Sequence, residues 1–285
     1  MLDPSNANHW AYRRLSGLIG FGRPAEFGLY RPRLLPARPA LAPPLAYRPA
    51  YQRPGPLGTL DRAHAKIAET CLSYLNSDQV KALSTSPSPD PRGTPFLEYS
   101  SLYWGMHAKI DLSAHAKQLA LKLFENYSDH ISIKLLLDAE KSRLFFLGRD
   151  KYTGFSSLHC ASFFGVVEVV VDLVEVEGCD INQADCLGST PLVWAAWNGH
   201  EGVAEVLLGQ DGIDPNKQCI GDRTALLCAA WRGHEGVVRI LLRRGGISTD
   251  GPESIGRTPL WCAAEYGREG IVRILLERGD VNADK

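Results

Sequence analysis

Two pairs of neighbouring side chains invite a catalytic reading first. His200-Glu201 and His234-Glu235 set an imidazole beside a carboxylate, twice, in the strings "NGHEG" and "RGHEG". That is the composition of a general acid–base pair. The pairs lie thirty-four residues apart, at the same point of a repeated segment. Other chemistry is thinly supplied. "GLIGFG" (Gly17–Gly22) has the glycines of a phosphate loop, but no Lys follows, and the string G-x-x-x-x-G-K-[ST] occurs nowhere. His107 and His115 stand eight apart in helical sequence with no acidic or cysteine partner at metal-ligand spacing. The chain has no G-x-S-x-G and no H-E-x-x-H, and its seven cysteines form no C-x-x-C. No catalytic, cofactor-binding or metal-ligating residue is therefore assigned.

Two tryptophans define a different kind of site. "TPLVWAAWNGHEGVAEVLL" (Thr190–Leu208) carries Trp194 and Trp197 three residues apart, and a shift of thirty-four residues maps this stretch onto itself. Thr190-Pro-Leu-Val aligns with Thr224-Ala-Leu-Leu, Thr258-Pro-Leu-Trp and, backwards, Ser156-Ser-Leu-His159. The alanine pairs Ala195-Ala196, Ala229-Ala230 and Ala263-Ala264 keep the interval, as do Gly165, Gly199, Gly233 and Gly267. A period of this length signals stacked units, none of which can bury its apolar face alone. Each unit reads as turn, short helix, Gly connection and second helix. Thr190 and Thr258 suit helix N-caps, with Pro191 and Pro259 at the first helical position. Gly188 and Gly256 suit a turn needing positive φ, where the third unit has the poorer choice, Asp222. The second helices place Val203, Val206 and Leu207, then Val237, Ile240 and Leu241, then Ile271, Ile274, Leu275 and Leu276 on one apolar side.

The motif T-P-L-x-x-A-A-x-x-G-H-x-G-V, with its D-x-N ending, resembles the ankyrin repeat. Four copies are read, about 151–184, 185–218, 219–252 and 253–285. The resemblance implies a mainly α fold, an α-solenoid of turn–helix–helix units, acting as a protein-interaction module rather than an enzyme. It also implies a structural role for His200 and His234 at the helix–helix connection. Trp194 shares a column with Cys160, Cys228 and Cys262, which the family pattern buries. Phe163, Trp197, Trp231 and Glu265 form the column after the alanine pair, which in the family faces the concave groove; Phe164, Asn198, Arg232 and Tyr266 form the next. These eight residues are the expected partner-binding face, because exposed aromatics with Arg make interaction hot spots.

Composition organises the remainder. The 285 residues carry a net charge of −1, but residues 1–60 hold eight Arg, no Lys and two acids, +6 in sum, leaving −7 for the rest. Nine of the eighteen prolines fall in residues 24–56. That excludes regular helix and central strand, and residues 1–60 read as a disordered Pro/Arg-rich arm. Such an arm has the composition of an SH3-type ligand or a phosphate-attracting tail, and equally of an unfolded extension with no selected role. Residues 61–148 read as a helical linker domain, with helical candidates in "RAHAKIAETCLSYLN", "FLEYSSLYWGMHAKI", "SAHAKQLALKLFENY" and "ISIKLLLDAEKS", and a Pro/Ser linker at Ser84–Pro95. His64-Ala-Lys-Ile-Ala-Glu69, Cys71-Leu-Ser-Tyr-Leu-Asn76 and Pro95 to Ala108 resemble the segment that joins the NTPase module to the ankyrin array in fungal NACHT–ankyrin (STAND) proteins. That resemblance implies an alternative function, as the sensor or regulatory part of such a receptor. No apolar run reaches eighteen residues, and three cysteines share one repeat column, so the expectation is an intracellular, cytoplasmic chain with reduced thiols and neither membrane nor nucleic-acid partner. The fourth unit keeps an interior pattern up to Asn282-Ala-Asp-Lys285, so self-association through an uncapped last repeat is expected. Leu119, Leu123 and Phe124, or else Leu135 to Leu137, are candidates to cover the first unit.

Overall fold

The computed structural model describes residues 61–85, 94–125, 127–128, 130–141 and 153–278. The Pro/Arg-rich arm, the "GLIGFG" glycines, most of the Pro/Ser linker and residues 279–285 lie outside the described residues. Apart from one isolated antiparallel bridge between Cys219 and Arg223, the regular structure among the described residues is helical.

Five helices precede the repeats: α1 (Asp61–Leu75), α2 (Asp78–Ser84), α3 (Pro95–Ile110), α4 (Ala114–Phe124) and α5 (Ile131–Lys141). Four helix pairs follow: α6 (Ser157–Phe164) with α7 (Val167–Val174), α8 (Pro191–Asn198) with α9 (Glu201–Leu208), α10 (Ala225–Arg232) with α11 (Glu235–Arg244), and α12 (Pro259–Glu265) with α13 (Glu269–Leu276). First helices pack in the order α6, α8, α10, α12, and second helices in the order α7, α9, α11, α13. The chain is an α-solenoid.

The same local chemistry builds each pair. Thr190, Thr224 and Thr258 accept hydrogen bonds from the backbone N–H groups of Val193, Leu227 and Trp261, each cap contributing about 1 kcal/mol. In the first pair Ser156 and His159 form a reciprocal capping box. Gly165, Gly199 and Gly233 end the first helices at φ 79°, 74° and 87°, left-handed values that cost a side chain but not glycine. Asp222 takes φ 60° where its counterparts are Gly188 and Gly256. On the second helices Val203, Leu207, Val237, Leu241, Ile271 and Leu275 are fully buried. Leu276, read from the sequence with the interior set, is instead 49% exposed: it lies one position past the buried face that ends at Leu275.

Hydrogen bonds tie each unit to its neighbour in register. Asn182 donates to the Gly212 carbonyl at 2.7 Å and accepts from the Asp214 N–H, and Asn216 does the same with Gly246 and Ser248. His200 reaches the Phe163 carbonyl at 2.9 Å, and His234 the Trp197 carbonyl at 3.1 Å. Arg244 and Arg278 donate to the Leu208 and Leu242 carbonyls at the end of the preceding second helix.

The block before the repeats continues both layers. Helix α3 packs on α6 and α4 packs on α7, so of the two candidate covers for the first unit α4 takes the place, while α5 packs on α2 and α3. Ala68, Cys71, Leu72 and Leu75 of α1 are fully buried, the face expected from their spacing, with Ile67 at its edge. Trp104 of α3 is fully buried, its ring edge-on to Phe124 at 5.9 Å and Phe164 at 5.2 Å. Gly105 permits that approach: a Cβ there would stand 2.1 Å from the Phe164 ring.

Candidate functional site

Helices α8, α10 and α12 present their post-alanine residues on one face, and the equal spacing of the units turns these residues into a row. Trp197 and Trp231 are half-buried and meet edge to face, ring centroids 5.6 Å apart at 87°. Trp231 meets Tyr266 at 5.8 Å, and Tyr266 is 39% exposed. The exposed Arg232 lays its guanidinium over Trp197, 4.9 Å from the ring centroid. Each cation–π contact of this kind contributes roughly 0.5–1 kcal/mol at an exposed site.

The turns supply the other half of the row. Arg223 lies over the Trp231 ring at 4.8 Å, and Arg257 reaches Trp231 at 5.6 Å and Trp261 at 5.2 Å. Both arginines are oriented by Glu253, which is 3% exposed. Arg223 Nε donates to Glu253 Oε2 at 2.8 Å, and Arg257 Nε donates to Oε1 of the same carboxylate. Arg257 also pairs with Glu265 at 3.5 Å. One buried carboxylate thus fixes two guanidiniums that both lie against the indole of Trp231.

Not all of the expected face is there. Phe164 is 4% exposed, a correction to its reading as a groove residue: α3 covers it through Trp104 and Gly105. Phe163 is half-buried between Phe164 at 5.1 Å and Trp194 at 5.5 Å. Asn198 turns back to donate to the Trp194 carbonyl at 3.1 Å, and Glu265 is exposed beside Arg257. Trp194, assigned to the core, is 3% exposed, and its indole N–H donates to Asp185 Oδ2 at 2.8 Å. The same carboxylate accepts from the Leu187 and Ser189 N–H groups, closing its turn. Burial holds the Asp185 carboxyl above its usual range, against those donors.

Sequence reasoning missed Arg223, Arg257, Glu253 and Trp261. The signal was present, since Arg223 and Arg257 share a column and Glu253 occupies the Asp185 column of the fourth unit. The histidine–glutamate pairs make no acid–base dyads. His200 places Nε2 on the Phe163 carbonyl and Nδ1 against Lys109 Nζ at 2.9 Å, and burial lowers its pKa to about 4. Because Lys109 donates, Nδ1 must accept and the proton sits on Nε2. His107 meets His64, Nδ1 to Nδ1 at 2.8 Å, and the Tyr99 hydroxyl at 2.9 Å. Among the described residues no three His, Cys, Asp or Glu side chains gather as a metal set. Nor is any helix of the described residues long and apolar enough to cross a membrane.

No curated protein matches the chain. A family model described as "Ankyrin repeats (3 copies)" matches residues 123–219 and again 216–285. Its first match begins at Leu123, near the end of α4, although the helices that continue the two layers start earlier, at Pro95. The matched span, the period and the turn–helix–helix units agree: the chain belongs to the ankyrin-repeat family.

Proposed function

We propose that this chain is a non-catalytic protein-interaction module whose partner binds the row formed by Trp197, Trp231, Arg232, Glu265 and Tyr266, on what would be the concave groove of the array. Ankyrin repeats are generally protein–protein interaction modules, which supplies the coarse half of the reading. The observation that carries the finer half is the Trp197–Trp231–Tyr266 row with arginines laid over its rings. Large rigid rings and guanidiniums bury much area at little entropic cost, which is why such residues dominate interface energies. The test is affinity capture from native cell extract with the wild-type chain and a Trp197→Ala/Trp231→Ala variant. The expected result is loss of the captured protein in a variant that still folds, with unchanged helical content at room temperature and a lowered thermal midpoint, since the two half-buried indoles give up their ring and cation–π contacts. Capture that survives the double change would remove the row as the binding site.

A second reading is that the chain is the regulatory part of a NACHT-type receptor. What favours it is the stretch Pro95 to Ala108, whose likeness to the receptor linker coincides with α3, the helix packed on the first repeat.

A further inference from the structure

Helix α3 carries rings of its own, none of which belongs to the row of the proposed site. Tyr99, Tyr103 and His107 follow one another at intervals of four, so one side of the helix bears all three. The rings of Tyr99 and Tyr103 lie 5.0 Å apart, and Phe96 stacks on Tyr99 at 5.7 Å and 17°. The Tyr99 hydroxyl meets Nε2 of His107 at 2.9 Å, and Nδ1 of His107 meets Nδ1 of His64, on α1, at 2.8 Å. Phenol, imidazole and imidazole thus form one hydrogen-bonded chain. Where the Tyr99 O–H donates to Nε2, the His107 proton sits on Nδ1 and donates to His64, whose own proton is then on Nε2. A phenolic proton can leave along such a chain without crossing apolar protein.

We propose that Tyr99 is a nitration site, oxidised by one-electron radicals such as the carbonate radical and captured by nitrogen dioxide, with His107 as the base that takes its proton and His64 as the next carrier. The carbonate radical takes one electron from Tyr99 and becomes carbonate. The hydroxyl proton moves to His107 Nε2 as the His107 Nδ1 proton moves to His64. The neutral tyrosyl radical then combines with nitrogen dioxide, itself a radical, through a C–N bond at the ring carbon beside the one bearing oxygen. The hydrogen on that carbon leaves as a proton, and the oxygen takes one back from the histidine chain. Tyrosine and the two radicals give nitrotyrosine and bicarbonate.

Burial selects this route. It raises the Tyr99 hydroxyl above its ordinary range, as do the neighbouring Cys71 and Tyr103, so the charged phenolate is disfavoured while the uncharged tyrosyl radical is not. Burial and the neighbouring His64 lower His107, which is therefore neutral at pH 7 and able to accept a proton. Tyr127 shows the contrast. Its hydroxyl donates to Cys160 Sγ at 3.0 Å inside the core, and burial keeps that thiol protonated, so the partner is no base.

The experiment treats the full chain at pH 7.5 with limiting peroxynitrite in bicarbonate, which releases both radicals, and maps the nitrated peptides. Among the tyrosines of residues 61–278, Tyr99 is expected to carry the most label, several-fold above Tyr103 and Tyr266, although Tyr266 is 39% exposed and Tyr99 is half-buried. His107→Phe keeps a ring and removes the base, so the label at Tyr99 should fall several-fold while that at Tyr266 stays the same. His107→Gln, which cannot take up the proton either, replaces that variant if it does not fold, and the wild-type ranking decides alone if neither does. Preferential labelling of Tyr103 or Tyr266, or label at Tyr99 that is indifferent to the loss of His107, would overturn the proposal.

Discussion

Trp194 and Asp185 show how one residue commits another. The indole fills the position that cysteine holds in the other three units, and its N–H satisfies a carboxylate that burial would otherwise leave short of donors. Trp194→Ala should therefore cost roughly 3–5 kcal/mol through the cavity and the orphaned oxygen. Trp194→Phe should keep most of the packing and lose about 1–3 kcal/mol, read as a lowered urea midpoint at unchanged slope. The burial of Trp194 was legible in the sequence, because its column is otherwise small. Its hydrogen bond was not, since the acceptor lies in a turn whose conformation the period alone leaves open. His159 and His200 carry a pH signature at the same scale. Both are held neutral, titrating at about 4 in place of the ordinary 6.5, burial being the main cause, and each makes its bond to a carbonyl of another unit through Nε2–H. Between those values the unfolded chain binds more protons, so stability rises with pH there. The stabilisation is complete above about pH 6.5 and lost as pH falls toward 4, by on the order of a few kcal/mol for the two together. Denaturant titrations at pH 7.5, 6 and 5 check this, and a flat profile would count against both neutral imidazoles.

At the scale of elements, α3 is the surprise. Its helical pattern was readable from Phe96, with Pro95, its first residue, counted in the linker, and so was the helicity of α1, α4 and α5; the short α2 between Asp78 and Ser84 was not singled out, being seven residues beside a Pro/Ser linker. What the periodicity could not give was the partner of α3. Repeat columns describe each unit as though its neighbours were repeats, and Phe164 then falls on an open face. In the first unit the neighbour is α3 instead, so Phe164 is core and Gly105 is the contact point. Gly105→Ala gains about 1 kcal/mol of helix propensity, yet its methyl would overlap the Phe164 ring. A net loss of roughly 1–3 kcal/mol is expected. The clash is specific, so Phe164→Ala should relieve it: a double-mutant cycle should return a coupling energy of favourable sign, and simple additivity would show that the two residues do not touch.

For the whole molecule, the row of the proposed site is a property of the stacking rather than of any unit. Trp197, Trp231 and Tyr266 each come from a different repeat, and their spacing follows from the Asn, His and Arg bonds that lock one unit to the next. Those bonds join residues thirty to thirty-seven apart and reach the adjacent unit, as expected of a nearest-neighbour array. Pulled from its two ends, such an array carries tension in series, every junction bearing the same load. It should behave as a spring at low force and then give way unit by unit, each rupture releasing thirty-four residues and lengthening the tether by about 100 Å. Optical-tweezer traces of the chain should show that sawtooth, whereas a single large extension would mean that the junctions fail together. A partner laid across the row would bridge three units, and its grip would then stiffen the spring and report on how far it is stretched.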